Sequence, residues 1–273
     1  MTVRRARVAA LYAALTIGLV AVAGPFLWTL LGSFKTDAEL RQDPPTFLPL
    51  RWVTDNYALL FERMDVVRVT FNSVVVAAVV VTANLLFCSM VAYALTKLRF
   101  SGGRVVFGLV LLQMFVPGIV LLIPQFVTVA SLNLADTYAG IVLPGLVTPL
   151  GVFMMRQFMG EIPGELVDAA RVDGSGELRI FFRIVLPLCK PVLATLGLIT
   201  FMTSWNGFLW PAVVAQRKEM YTLPVALASL SSREAVHYGL LLAGVIVVIA
   251  PVLLLFLFLQ RYFVQGVATA GLR

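Results

Sequence analysis

The side chains with which this chain could do chemistry are few and unevenly placed. Five of its 14 acidic residues (Glu161, Glu165, Asp168, Asp173 and Glu177) fall between Gly160 and Pro191, together with Arg171, Arg179, Arg183 and Lys190. Mixed charge at that density suits docking, where complementary charges fix the register of two surfaces. It does not suit catalysis. The chain has one histidine, His237, so no His-based metal site can be built and a nucleophile would lack a base. No GxxxxGK[ST] loop is present, and Gly174-Ser175-Gly176 is followed by no Lys-Ser or Lys-Thr, so the chain alone is not expected to hydrolyse ATP. No catalytic residue, metal or cofactor is expected. Cys88 and Cys189 stand too far apart in sequence to imply a disulfide.

A second set of polar groups lies inside apolar runs. Asn72, Ser73 and Asn84 interrupt one run; Gln113 and Thr128, with Pro117 and Pro124, interrupt another. In a third, Thr203, Asn206, Gly207 and Trp210 recur at i, i+3, i+4 and i+7, with Thr200 a turn earlier, which predicts one helix face. Polar groups cost free energy in lipid and belong on a bundle interior or a water-filled path. Asn206 offers two donors and an acceptor, and Trp210 a flat ring, a combination that fits a polyhydroxyl solute. Taken singly, such a residue more often ties two helices together than meets a solute; the Thr203–Trp210 face, which gathers polar, small and aromatic residues, is the exception, and Asn206 on it reads either way.

The charged stretch carries helix punctuation. Pro163 suits a first helical turn, Leu166 to Asp173 continue it, and Gly174 stands where a left-handed C-cap belongs. Ser175 is expected to cap a second helix ended by Pro187, with Leu178, Phe181, Phe182 and Val185 forming its apolar stripe. The first helix is expected to expose Ala169 and Ala170 for close approach by another surface. The alternative is an amphipathic loop packed on its own bundle.

The order Asp168-Ala169-Ala170, three residues, Gly174, nine residues, Ile184, one residue, Leu186-Pro187 resembles the EAA loop of permease subunits in binding-protein-dependent ABC importers. The likeness runs from about Asn72 to the C-terminus. The tail Gln260 to Gly266 is similar to that of the carbohydrate, maltose-type branch. Asp168 stands where the family usually has Glu, which re-aims any salt bridge there. The resemblance implies a type I ABC importer permease fold with a coupling helix that docks on a cytoplasmic ATPase subunit. Glu165, Asp168, Ala169, Ala170, Asp173 and Gly174 would form that contact, and Gln113, Thr203, Asn206, Gly207 and Trp210 would line the path. It further implies a second permease subunit, two ATP-binding subunits holding ATP-Mg and an external solute-binding protein. The cargo would be a sugar or sugar-like solute moved by alternating access. Related permeases for glycerol phosphate or other polyols look alike, and a non-transporting membrane scaffold is the reading from another class.

Composition sets the elements that must position these residues. Of the 273 residues, 60% are hydrophobic and 13% charged, and mean hydropathy is +0.95, so the chain must use lipid as solvent. Six uncharged runs are long enough to span: Val8–Leu31, Val69–Thr96, Val105–Ala135, Thr137–Met155, Pro191–Gln216 and Tyr238–Gln260. The expected fold is an all-α membrane protein of six transmembrane helices, with the charged loop between spans 4 and 5. The expected division is 1–68, an N-terminal span and long external loop, and 69–273, the permease core. The 37-residue stretch from Gly32 to Arg68 either meets an external partner or lids the bundle. With the N-terminus inside, 13 of the 21 basic residues fall on inner segments and 8 on outer ones. Both termini and the charged loop are therefore expected in the cytoplasm, in a multi-pass protein of a bacterial cytoplasmic membrane. The net charge of +7 comes from basic residues at the ends of apolar runs, so nucleic acid is not an expected partner.

Overall fold

The structure is a computed structural model that describes residues 2–98, 100–231 and 237–270. Arg99, Arg233 and Arg273 of the charge argument lie outside the described residues. Every regular element among those described is helical. The chain forms two compact units: 1–66 with 226–257, and 67–225 with 258–273.

The first unit opens with α1 (Thr2–Gly32), whose stretch Ala10–Gly32 is apolar enough to cross a membrane and stays largely uncovered until Gly32 at its end, which is buried. After it come α2 (Asp37–Leu40) and α3 (Asp55–Arg63). The segment between them folds over a buried ion pair, Lys35 Nζ to Glu39 Oε1 at 3.8 Å. Burial pushes the Glu39 carboxyl up. Hydrogen bonds from the Thr46 hydroxyl and the Leu50 N–H, with the charge of Lys35, overcome this and hold it below the usual carboxylate range. Late in the chain, α14 (Leu223–Ser231) from residue 226 and α15 (Tyr238–Ala270) as far as residue 257 return to this unit. Asp37 accepts from the Gly239 N–H at 2.8 Å and so caps the start of α15.

The second unit is built around α4 (Val66–Lys97), 32 residues with neither glycine nor proline. The other apolar runs do not form straight spans. The third run becomes α5 (Gly103–Met114) and α6 (Gly118–Ser131), bent by 109°. Pro117 is the N-cap of α6, so the break falls where a missing N–H and a fixed φ forbid continuation. Asn133 and Asp136, both at φ 57°, then turn the chain into α7 (Tyr138–Val142). The fourth run combines α7 and a 3-10 turn with α8 (Pro149–Glu161) at 44°.

The charged loop contains α9 (Gly164–Val172), α10 (Glu177–Ile180) and α11 (Leu186–Leu188), before α12 (Lys190–Trp205) and α13 (Leu209–Val214). Among the described residues, two helices are each long and apolar enough to cross a membrane and three bent pairs are so when taken together, while the apolar described part of α15, Tyr238–Leu254, is shorter. One core joins α4, α8, α9, the 180–189 segment and α12, through Cys88, Tyr93, Met155, Val167, Phe181 and Leu196.

Three local expectations are corrected. Phe181–Val185 is a π segment, with the Leu186 N–H reaching the Phe181 carbonyl. Its wider turn shifts the phase, so Ile180, Phe181 and Val185 are buried while Leu178 and Phe182 are exposed. Gly176, not Ser175, is the N-cap of α10. Pro187 does not end the helix; it continues to Leu188, and the chain then turns by 82° into α12.

Candidate functional site

The loop is fixed by its termination chemistry and by one arginine. Gly174 has φ 78°. Its N–H donates to the Arg171 carbonyl and that of Ser175 to the Ala170 carbonyl, both at 3.0 Å. This crossed pair is the Schellman C-cap, which needs a left-handed residue between helix and exit. Arg171 then uses three nitrogens. Nε donates to Glu177 Oε1 at 2.7 Å, Nη1 to Asp168 Oδ1 at 2.9 Å, and Nη2 to the Lys97 carbonyl at 3.0 Å. Glu177 also accepts from the Tyr93 hydroxyl at 2.5 Å. Arg171, and secondarily the Tyr93 hydroxyl, hold the Glu177 carboxyl below the usual range, and Glu177 in turn raises the Arg171 guanidinium further.

The face that α9 presents is narrower than the sequence pattern implied. Glu165, Asp168, Ala169, Asp173 and Gly174 are exposed. Ala170, expected beside Ala169 on that surface, is instead 8% exposed and packs into the core with Val167. The reason is helical phase: 167 and 170 lie three residues apart on the inward face, which leaves Leu166, Ala169 and Val172 outward. Val172 is 88% exposed, an apolar group that a solvated helix gains nothing by displaying.

The second site is a cavity of about 350 Å³ in the same unit. Thr148, Thr200, Thr203, Ser204, Gly207 and Trp210 contribute to its wall, along with aliphatic groups from α4. Its volume lies within the roughly 300–1,000 Å³ usual for small-molecule sites. The predicted face 203–210 is not one helix, because α12 ends at Trp205 and Asn206 is its C-cap. Thr203, Gly207 and Trp210 still meet at the cavity. Asn206 is exposed and returns its amide to the Met202 carbonyl at 2.9 Å. Gln113 is exposed on α5 and is not part of this wall. The Trp210 indole N–H is committed to the Ile141 carbonyl at 3.0 Å, so the ring presents its face.

Asn84, fully buried, links three elements below this wall. Its Nδ2 donates to the Gly145 carbonyl at 3.0 Å and to Thr148 Oγ1 at 3.2 Å, while its Oδ1 accepts from Thr200 Oγ1 at 3.4 Å. Sequence reasoning had not singled out Tyr93, Lys97, Thr148 or the hub role of Arg171. A signal existed for Thr148: Thr148-Pro149 reads as an N-cap followed by proline at N1, and Thr148 does accept from the Gly151 N–H. Tyr93 and Lys97 gave none, since contacts over 65 or more residues have no local pattern.

The chain as a whole is similar to known proteins. The family profile described as binding-protein-dependent transport system inner membrane component matches residues 84–269, which include the charged loop and all of the cavity wall but Val76 and Val80. The chain is 40% identical over 266 residues to the arabinooligosaccharides transport system permease protein AraQ of Halalkalibacterium halodurans, covering 95% of each. It is 34% identical over 255 residues to the lactose transport system permease protein LacG of Rhizobium radiobacter, covering 93% of each. Among solved structures, a bacterial ABC transporter involved in import of the acidic polysaccharide alginate aligns with a TM-score of 0.81 at 25% identity. That alignment covers 95% of this chain and 98% of the other.

Proposed function

Because this chain belongs to the family of inner membrane components of binding-protein-dependent transport systems, we propose that it is the membrane-spanning subunit of an ATP-driven importer for a sugar or sugar-like solute. The observation that best supports this cargo is the cavity, whose polar lining is hydroxyl groups beside an indole face, with no charged side chain among its lining residues. Hydroxyl oxygens can accept from a polyhydroxyl solute even where, as at Thr200 and Thr203, their own protons are committed to Asn84 and the Ile199 carbonyl, and a ring face can cover a sugar's apolar side. The relatives named for arabinooligosaccharides and lactose point the same way.

In this reading the six apolar runs are six spans in a bacterial cytoplasmic membrane, both termini and the 160–191 loop face the cytoplasm, and 69–273 is the permease core. A second permease subunit completes the path, an external binding protein delivers the solute, and two ATP-binding subunits hold ATP-Mg. Glu165, Asp168, Ala169, Asp173 and Gly174 present the α9 face to an ATP-binding subunit, with Ala170 seating α9 from behind. Closure of the ATP-binding pair draws the loop with it and opens the path outward; ADP release reverses this. Each ligand shifts the two states only by its differential affinity for them.

The test is the assembled complex in vesicles, with its binding protein loaded in turn with labelled saccharides and with glycerol phosphate. The expected result is uptake and stimulated ATP hydrolysis with at least one saccharide. Stimulation by glycerol phosphate alone would overturn the sugar assignment.

A further inference from the structure

We propose that Tyr93, Arg171 and Glu177 are positioning residues that fasten the charged loop to the C-terminal end of α4, making α4 the rod that carries a displacement of the loop to the cavity wall and beyond. The proposal rests on the importer reading only for the source of that displacement.

Two routes lead from the loop to the cavity. The covalent one enters α12, but only after the 82° turn at Cys189. A bend of that size between two short helices absorbs motion, as hinges do. The other route is not covalent. Tyr93 binds Glu177, Arg171 binds the Lys97 carbonyl, and Lys97 Nζ donates to the Ile162 carbonyl just before α9 at 2.6 Å. Three links thus join the last turns of α4 to both sides of the loop. They ride on the one long unbroken helix of this unit, roughly 48 Å at 1.5 Å per residue.

The same helix grips the wall and the far end of the unit. At mid-length, Asn84 holds Gly145, Thr148 and Thr200. Near its start, Asn72 donates to the Glu219 and Tyr221 carbonyls at 2.8 and 2.9 Å, and Ser73 Oγ accepts from the Leu223 N–H at 2.7 Å. Polar grips therefore recur at residues 72–73, 84 and 93–97 of one stiff element. Moving the loop without moving α4 would break the grips at 93–97, and moving α4 without the cavity wall would break that at Asn84.

The test uses the complete complex in vesicles, in a background carrying Cys88→Ala and Cys189→Ala, and reads solute moved per ATP hydrolysed. Tyr93→Cys with Glu177→Cys removes the clamp and should lower that ratio about fivefold, the factor one hydrogen bond gives an equilibrium. Bridging the two thiols with a short bifunctional maleimide should restore it. An unchanged ratio, uptake and hydrolysis falling in proportion, or a bridge that restores nothing would each overturn the proposal. If the parent complex moves no saccharide, the importer reading fails instead. The clamp is then decided by amide exchange: Tyr93→Phe must speed exchange of the Ser175 N–H by a similar factor, and unchanged exchange overturns it.

Discussion

Gly174 offers the sharpest separation of backbone strain from surface contact. Its φ of 78° lies where an L residue brings Cβ against the next carbonyl, and a Cβ built there meets nothing within 4 Å. Within the free subunit, the backbone alone therefore sets the effect of Gly174→Ala. A residue other than glycine in this conformation costs about 1–2 kcal/mol, which lowers the population of the capped loop roughly 5- to 30-fold. Asn tolerates the conformation, and Val, branched at Cβ, tolerates it least. Amide exchange at Gly174 and Ser175, whose N–H groups close the cap, should quicken in the order Gly, Asn, Ala, Val. ATP hydrolysis stimulated by the loaded binding protein should fall in the same order. Gly176→Ala is the control: φ there is −71° with nothing within 4 Å, so neither measurement should move. If Gly174→Asn leaves exchange unchanged yet abolishes stimulation, the glycine is needed for approach of a partner and the strain argument is wrong. If Gly174→Ala exchanges like the parent, the cap assignment itself fails.

Three further outcomes follow from the same geometry. Ala169→Trp should assemble normally and lose stimulated hydrolysis, whereas Ala170→Trp should lower the melting temperature and the yield of complex, because it overfills a packed site at a cost of about 1–3 kcal/mol. Thr203→Val keeps the shape of the cavity wall but removes a hydroxyl, and should weaken apparent solute affinity about 5-fold; Asn206→Ala, facing away, should leave solute preference unchanged in the same uptake assay. The depressed Glu177 carboxyl makes the clamp acid-sensitive: its stabilisation is complete above the ordinary value of 4.5 and is lost as pH falls through the lower folded value. The difference in melting temperature between parent and Glu177→Gln should therefore be flat above pH 4.5 and shrink below it.

Features written in neighbouring residues were legible in the sequence. Gly174 announced its own φ, because a helix of this composition running into Asp-Gly-Ser needs a left-handed exit. The apolar runs announced a lipid-solvated helical chain. What failed was phase. Ala169 and Ala170 look alike as letters, and only the burial of Val167 and Ala170 together in one core decides that the second turns inward. The stripe Leu178, Phe181, Phe182, Val185 presumed 3.6 residues per turn; one wide turn moved two of the four to the surface. A π turn has no composition of its own, so periodicity could not reveal it.

The break in the fifth run was legible but misread, and it changes the chemistry of the cavity. Asn206-Gly207 is a turn signal, and Pro211 follows four residues on. Spacing of i, i+3, i+4 and i+7 describes a face only while the helix lasts, and α12 stops at Trp205. The turn still delivers Thr203, Gly207 and Trp210 to one wall, because Trp210 is pinned by its N–H to the Ile141 carbonyl. It removes the amide that had looked best suited to a sugar, since Asn206 spends its donor on Met202 in closing its own helix. The hydroxyls of Thr148, Thr200, Thr203 and Ser204 remain at the wall; the protons of Thr200 and Thr203 are committed to Asn84 and to the Ile199 carbonyl, which leaves their lone pairs to accept. On the proposed reading, a largely apolar wall with a few short hydroxyls beside a fixed ring would hold a saccharide weakly at several points rather than strongly at one. A path whose occupant must leave again needs such a grip, because binding shared equally by the inward and outward states shifts neither.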